Sequence, residues 1–345
     1  MPLASGRLPR LTYVVILLIS LGLAGCSGEF PQTVFEPTSD FGRSVDTLFR
    51  NIIWWALFVF VVVEGVLLYT IVRFRAKPGA PAPKHIHGHT ALEIAWTLAP
   101  AFILVFIAVP TIRTIFEFDG TPAPGALEIE VIGHQWWWEY RYPEYGITTA
   151  SEMHLPQGRP IALKMTSADV IHAFWVPRLG GKRDVIMGHT TRLAFTVDST
   201  GVYMGQCAEF CGESHANMRL SVSVDSLDDF AAWVAGQQAP PVTLDTSDQL
   251  LARGAAAFQQ VRDPASNSCV ACHTISGISF GVLGPNLTHL ASRNSLAGGI
   301  LPNDADGLRR WLADPSAEKP GSLMPNIDLT SGEIDALVAY LQSLR

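Results

Sequence analysis

Charged residues and basic clusters are scarce in this 345-residue chain. Only 16% of the residues are charged, the formal net charge is -7, and no basic run occurs, so the sequence lacks the footprint of a nucleic-acid-binding protein. Apolar residues make up 48% of the chain. Length and composition together exclude a single soluble domain and predict membrane segments with two soluble domains.

An export signal is predicted at the N-terminus. Arg7 and Arg10 precede an apolar run at residues 11–23 that is too short to span a bilayer. The run ends in LAGC, which resembles the bacterial lipoprotein signal, so residues 1–25 would be removed and Cys26 would carry the lipid. A plain signal peptide with an incidental cysteine is the alternative.

Two longer apolar runs, residues 51–72 and 94–112, predict a transmembrane hairpin over 51–112. The loop between them is basic and has no acidic residue, which places it in the cytoplasm and places residues 26–50 and the chain after about 113 outside. Glu64, in the middle of the first run, should face a protein neighbour. Neither run contains a histidine, so the chain has no candidate site for dioxygen.

The soluble part divides into two predicted domains. From about residue 120, segments such as ALEIEVIG and PIALKMTS alternate apolar and polar residues, which predicts an antiparallel β-sandwich or barrel over 113–235. A proline-bearing polar linker, 236–247, follows. Helical spacing in SDQLLARGAAAFQQ and TSGEIDALVAYLQSL predicts a small, mostly helical domain over 248–345.

The loop CAEFCGESHANM, residues 207–218, combines two cysteines, a histidine and a methionine. Zinc has no use for the thioether of Met218, and a single blue-copper ion needs only one thiolate. Two thiolates can instead bridge two copper ions, with one imidazole for each metal. His215 supplies one imidazole, and His172 is a candidate for the second. A Cys207–Cys211 disulfide is the alternative, and the histidines that rival His172 are His134, His154 and His189.

The motif CVACH, residues 269–273, is the C-x-x-C-H signal for covalent haem c. Cys269 and Cys272 would bind the porphyrin and His273 the iron. No βαβ pattern surrounds the motif, which argues against a thioredoxin-like site. Met324 is the only methionine after residue 241 and is the expected second axial ligand, with His289 as its rival. GPNL and the flanking helices resemble class I cytochromes c.

Three stretches, GHQWWWEY, DVIHAFWVP and YMGQCAEFCGESHANM, resemble the signature stretches of cytochrome c oxidase subunit II in order and near the usual separation, over roughly residues 40–235. The resemblance implies a cupredoxin-like Greek-key barrel with a dinuclear copper centre, CuA. The implied copper ligands are bridging Cys207 and Cys211, capping His172 and His215, the weak ligand Met218, and the main-chain carbonyl of Glu209.

Further roles follow from the resemblance alone. The Glu209 side chain would help to hold a magnesium or manganese ion at the border with subunit I. Trp136 occupies the position of the surface tryptophan that receives electrons from cytochrome c, so the haem domain should dock near it; Trp137 departs from the family's usual tyrosine. Glu93 stands where the family has a glutamate at a proton-channel entrance, although a capping box with Thr90 would explain it equally.

The resemblance and the haem motif imply subunit II of a respiratory haem-copper oxidase in the bacterial inner membrane, with both soluble domains on the periplasmic face. Electrons would come from soluble cytochrome c, another small redox protein or an upstream respiratory complex. They would pass to haem c, to CuA and to the haem of subunit I, where oxygen is reduced with proton pumping; subunits I and III would be partners. The alternatives are the electron-input subunit of a CuA-containing nitric oxide reductase and a copper-binding or delivery protein.

Overall fold

A computed structural model describes residues 30–79, 87–241, 247–261 and 268–345, together with Tyr13, Leu17, Ser20 and Gly28. Cys26 and most of the predicted signal segment lie outside the described residues.

Two long apolar helices form the hairpin, α1 (Asp40–Arg73) and α2 (Thr90–Glu117). Both are long and apolar enough to cross a membrane, and Trp55 of α1 stacks on Phe106 of α2 with ring centroids 5.7 Å apart. The 34 residues of α1 extend about 51 Å, well beyond the roughly 30 Å of a bilayer core. The helix therefore has room to continue outside the lipid.

The first turn of α1 is anchored to the β-domain, which explains why it begins before the apolar run. Ser39 caps the helix by accepting a hydrogen bond from the Gly42 amide. The Asp40 carboxylate accepts a hydrogen bond from the Thr196 amide at 2.8 Å. These polar contacts carry no hydrophobic signal in the sequence.

The cap of α2 differs from the predicted Thr90–Glu93 box. His89 is the N-cap, and its ring nitrogen Nδ1 accepts from the Leu92 amide at 3.3 Å. The Glu93 carboxylate accepts from the His89 amide at 3.2 Å, so it does reach back to the cap, but the cap lies one residue earlier. An imidazole nitrogen can fill the acceptor role of a threonine hydroxyl here.

Residues 127–225 form a sandwich of two five-stranded sheets. The strands are β1 (Leu127–His134), β2 (Trp137–Tyr142), β3 (Ile147–Ala150), β4 (Glu152–Pro156), β5 (Pro160–Ser167), β6 (His172–Trp175), β7 (Arg183–Val185), β8 (Thr191–Thr196), β9 (Gly201–Cys207) and β10 (Arg219–Asp225). Their order is β3-β2-β1-β5-β8 in one sheet and β4-β10-β9-β6-β7 in the other.

The core of the sandwich follows the alternation predicted from the sequence. Leu127, Ile129 and Val131 of β1 are fully buried, and the residues between them are half-buried. The multi-domain fold with an all-β cupredoxin-like domain is confirmed. The prediction of a purely antiparallel sandwich is wrong, because β1 pairs with β5 and β4 with β10 in parallel. Helix α3 (Leu227–Gln238) closes the sandwich and continues into the segment predicted as linker.

The C-terminal domain is mostly helical, as predicted. Its helices are α4 (Gln249–Gln259), α5 (Cys269–Cys272), α6 (Ala305–Ala313), α7 (Pro315–Glu318) and α8 (Ser331–Ser343), joined by the short strands β11 (Thr274–Ile275), β12 (Ser279–Phe280), β13 (Ser295–Leu296) and β14 (Leu301–Pro302). A capping box of Thr330 and Glu333 starts α8. Gly254 allows α4 to pack closely on α8. Any side chain at this position would collide with the carbonyl of Ala336.

Candidate metal and haem sites

The sulfur-rich loop lies where three neighbouring strands meet. Strand β9 ends at Cys207, antiparallel β10 begins just after Met218, and antiparallel β6 begins at His172. The register Phe174↔Cys207 sets the start of β6 beside the end of β9. Strand pairing thus brings His172 to the loop across 35 residues of sequence.

Six potential ligand atoms converge there. The Sγ atoms of Cys207 and Cys211 are 3.8 Å apart, too far for a disulfide of about 2.05 Å. Nδ1 of His172 lies 3.9 Å from the Cys207 sulfur, and Nδ1 of His215 lies 3.5 Å from the Cys211 sulfur. The Met218 Sδ is 3.8 Å from the Cys211 sulfur. The carbonyl oxygen of Glu209 is 3.2 Å from the Cys207 sulfur.

The donor set suits a soft metal. Both cysteines are buried, and His172 and Met218 are fully buried. Thiolate, thioether and imidazole together favour copper over the hard cations. The ligand atoms of His172, Cys207 and Cys211 all lie within 4.8 Å of one another. These residues therefore fit a copper centre.

The two thiols share one proton. Their mutual hydrogen bond lowers the pKa of Cys207, against the opposing effect of burial, and it raises the pKa of Cys211. The lowered pKa favours the thiolate form of Cys207, which is the form of cysteine that binds metals.

Asp169 holds His172 in place. Its carboxylate lies 2.8 Å from Nε2 of His172, so the imidazole turns Nδ1 toward the sulfurs. The same carboxylate accepts from the Gln135 amide at 2.6 Å. The packing leaves no room on the opposite side, because a Cβ at Gly133 would lie 2.7 Å from the His172 ring.

The rival histidines lie elsewhere. His134 contacts Glu139 at 3.0 Å and stacks on Trp137, and His154 contacts Asp225 at 2.7 Å and stacks on Trp233. His189 is exposed in the loop after β7. The structure therefore brings only His172 and His215, among these five described histidines, to the thiol pair.

A cavity of about 390 Å³ lies between the β-domain and the C-terminal domain. The C-terminal residues Cys269, Cys272, His273 and Met324 all line it. His289 is buried but is not among the lining residues. The cavity thus collects the predicted haem residues and leaves out the rival axial ligand.

His273 has one ring nitrogen hydrogen-bonded and the other available to a metal. Its Nδ1–H donates to the Pro285 carbonyl at 2.8 Å, which leaves the lone pair of Nε2 free. Burial lowers the pKa of His273, so the imidazole is neutral. A Cβ at Gly284 would lie 2.6 Å from the ring, so glycine permits this close packing. The neutral histidine, two thiols and a thioether around one cavity fit a c-type haem.

Trp136 joins the two sites. Its indole Nε1 donates to the Cys211 carbonyl at 3.0 Å, and its main-chain carbonyl accepts from Nζ of Lys319 at 2.5 Å. Trp136 lines the cavity, yet it is only 7% exposed because the C-terminal domain covers it. The expectation that the haem domain docks near Trp136 is met.

The remaining predicted residues are less closely tied to these sites. The half-buried Glu209 contributes its carbonyl to the thiol pair, while Glu93 caps α2, far along the chain from both sites. Glu64 is half-buried on α1.

Sequence reasoning missed three polar residues around the sites, the half-buried Asp169 and the buried Lys319 and Glu152. Asp169 stands three residues before His172, which was a usable signal. Lys319 and Glu152 gave no such signal, because their partners in the other soluble domain are more than 140 residues away in the sequence. Glu152 accepts hydrogen bonds from the amides of Asn294 and Ser295 and so fastens the two soluble domains together.

The fold and these two sites define a class of protein, a membrane-anchored electron carrier with a soft-metal site and a c-type haem site. The chain belongs to the cytochrome c oxidase subunit 2 family. Residues 32–114 match the family "Cytochrome C oxidase subunit II, transmembrane domain" and residues 146–225 its periplasmic domain, while residues 251–345 match cytochrome c.

Curated relatives support this membership. Cytochrome c oxidase subunit 2 of Alkalihalophilus pseudofirmus is 36% identical over 96% of this chain and 96% of its own. The protein of the same name from Bacillus sp. (strain PS3) is 34% identical over 79% of this chain and 80% of its own. A crystal structure of the periplasmic domain of subunit II of cytochrome oxidase of Bradyrhizobium japonicum is 34% identical, covers 34% of this chain and 97% of its own, and has a TM-score of 0.33.

Proposed function

We propose that this chain is the electron-input subunit of a respiratory haem-copper oxidase. It receives electrons from an external donor at its C-terminal domain and delivers them through the β-domain to the haem of subunit I, where oxygen is reduced to water with proton pumping. Family membership and the cytochrome c domain support this role over a nitric oxide reductase subunit or a copper-delivery protein.

One observation carries the proposal: Trp136 is bonded to one donor set and lines the cavity of the other. Its indole is hydrogen-bonded to the main chain of Cys211, and the same residue lines the cavity that holds His273 and Met324. A storage or delivery protein has no need for two redox sites joined through one buried residue.

When bound, the haem and a dinuclear copper centre would each take up and release one electron at a time. Cys269 and Cys272 would attach the haem, and His273 and Met324 would be its axial ligands. Cys207 and Cys211 would bridge the copper ions, His172 and His215 would cap them, and Met218 and the Glu209 carbonyl would bind weakly. The buried ligand side chains exclude water, which limits reorganisation when the charge changes.

The other predicted roles extend this assignment to partner subunits. The Glu209 side chain would help to bind a magnesium or manganese ion against subunit I, and Glu93 would lie at the mouth of a proton channel. The two helices span the bacterial inner membrane, with subunits I and III as neighbours and both soluble domains in the periplasm; the basic loop after α1 supports this orientation.

The test uses the purified oxidase complex with Cys211→Ser. The variant should lose the copper absorption and the mixed-valence paramagnetic signal, keep its haem absorption and stop consuming oxygen, because removal of one thiolate leaves the copper ions unbridged. Oxygen uptake that continues at the parent rate would refute the proposal. Turnover of nitric oxide in place of oxygen by the parent complex would favour the reductase alternative.

A further inference from the structure

Lys319 is a buried lysine at the boundary between the two soluble domains. The residue is 3% exposed and follows the short helix α7 in the C-terminal domain. Its ammonium donates to the carbonyl of Ala297 in its own domain at 2.6 Å and to the carbonyl of Trp136 in the β-domain at 2.5 Å. One side chain therefore joins the main chains of both domains.

No carboxylate among the described residues forms an ion pair with Lys319, which makes its burial costly. Burial lowers the pKa of Lys319 to about 7, and an electrostatic interaction with the neighbouring thiol pair acts in the opposite direction. A methionine or leucine would fill the same space without this cost. The lysine must therefore contribute something that an apolar side chain does not, and the two hydrogen bonds are the visible difference.

These hydrogen bonds complete a continuous route between the two sites. The Trp136 indole is bonded to the carbonyl of Cys211, and the Trp136 carbonyl is bonded to Lys319, which itself lines the cavity. The indole also packs on the C-terminal domain, since a Cβ at Gly321 would lie 2.9 Å from its ring. Trp136 is thus held at its side chain by one site and at its main chain by the other.

We propose that Lys319 is a positioning residue for electron transfer from the haem to the copper centre, because its hydrogen bond to the Trp136 carbonyl fixes Trp136 against the cavity. This inference rests on the proposed function. One electron leaves the haem and one enters the copper centre in each transfer, with no bond made or broken. An amine keeps two hydrogens for its two carbonyl partners whether or not it is protonated, so the tether does not depend on its charge.

The main test is Lys319→Met in the full oxidase complex, with Lys164→Met as the matched control. Lys164 is a surface lysine whose ammonium pairs with Glu128 at 2.6 Å and which lies outside the cavity lining. The haem is photoreduced, and the transfer to copper is followed by absorbance. We expect both centres of Lys319→Met to keep their spectra while the transfer slows about tenfold or more, as misplacement of a positioned group predicts; Lys164→Met should match the parent.

The reduction potential of the haem is a second readout, which a purely structural role of Lys319 in domain docking would not change. A redox titration at about pH 6, below the pKa of Lys319, compares the parent with Lys319→Met. A buried positive charge beside the cavity stabilises the reduced haem, so its removal should lower the haem potential. An unchanged potential together with an unchanged transfer rate would overturn the proposal.

Gly298→Ala tests the same contact and retains the lysine. A Cβ at Gly298 would lie 2.6 Å from Nζ of Lys319 and 2.7 Å from the Trp136 carbonyl, so a methyl group there separates the two. Gly277→Ala is the control, because Gly277 has a similarly positive φ but no neighbouring atom within 4 Å of its Cβ. The first variant should slow the transfer and the second should not. Equal rates in both would contradict the proposal.

The outcomes separate this inference from the function on which it rests. If the parent complex transfers electrons from haem to copper and both variants do so at the parent rate, only the role of Lys319 fails. If the parent itself shows no such transfer, the proposed function fails with it.

Discussion

At the scale of single residues, the candidate copper site depends on side chains that hold its potential ligands as well as on those ligands themselves. Asp169 orients His172 through Nε2, and Gly133 leaves the space that the imidazole ring needs. The contact with Asp169 fixes the orientation of the imidazole, so that Nδ1 already faces the thiols before a metal binds. The contact should therefore contribute directly to copper affinity.

Asp169→Asn is expected to weaken copper binding by about 10- to 100-fold, the usual effect of removing a carboxylate behind a metal-binding histidine. Copper titration of the purified chain, followed by the thiolate absorption, measures the change. Asp198→Asn is the control, because Asp198 is an exposed carboxylate that pairs with Arg43. Equal copper affinity in both variants would show that Asp169 does not orient the ligand.

The stability of the C-terminal domain should depend on the charge of Lys319. Its pKa is about 7 in the folded chain and about 10.5 in the unfolded chain, so between these values the unfolded state binds more protons and stability rises with pH. Each pKa unit corresponds to about 1.4 kcal/mol. The unfolding midpoint of the parent relative to Lys319→Met, followed by haem absorbance, should therefore rise from pH 7 to pH 10. A difference that stays constant or falls would contradict the lowered pKa.

The residues of the candidate sites could be predicted from the sequence where they form compact motifs. Most of the potential ligands of each site lie within one short segment, CAEFCGESHANM for the copper site and CVACH for the haem site. Lys319 and Glu152 could not be found in this way, since each acts on a partner in another domain. No periodicity or spacing encodes such a contact, which exists only once both domains are folded and docked.

At the scale of elements, strand pairing decides which histidine reaches the thiols. The sequence left four candidates for the second imidazole, and the pairing of β6 with β9 brings His172 to the loop. The start of helix α1, by contrast, could not be predicted from the sequence. Hydropathy predicted only the apolar part of α1, because the polar contacts of its first turn with the β-domain are tertiary.

The close packing of Gly284 on His273 gives a prediction at this scale. Gly284→Ala would place a methyl group 2.6 Å from the imidazole ring and so displace it from its hydrogen bond to Pro285. We expect the haem to remain attached through its thioethers but to change spin state, as the absorption spectrum will show. Gly236→Ala, in the open surface of α3, should leave the spectrum unchanged. A normal low-spin spectrum for Gly284→Ala would contradict the assignment.

At the scale of the whole molecule, the C-terminal domain covers the tryptophan through which electrons would enter the β-domain. Trp136 is 7% exposed, and Lys319, Gly298 and Gly321 lie against it. An external protein cannot contact Trp136 in this arrangement. On the proposed function, an external donor would therefore deliver its electrons to the C-terminal domain.

Trp136→Phe should separate the two stages of electron delivery. The variant retains an aromatic ring but loses the indole bond to the Cys211 carbonyl, so haem-to-copper transfer should slow about tenfold. Reduction of the haem by an external donor should keep its rate, since that step does not involve Trp136. Stopped-flow absorbance resolves the two stages. Loss of haem reduction with normal transfer to copper would reverse this assignment.

The most direct test of the account is metal analysis of the purified chain combined with its paramagnetic resonance spectrum. The donor sets predict about two copper atoms and one iron atom per chain, with one unpaired electron shared between two copper nuclei. A single copper per chain with an electron confined to one nucleus, or a Cys207–Cys211 disulfide in the copper-loaded protein, would contradict it.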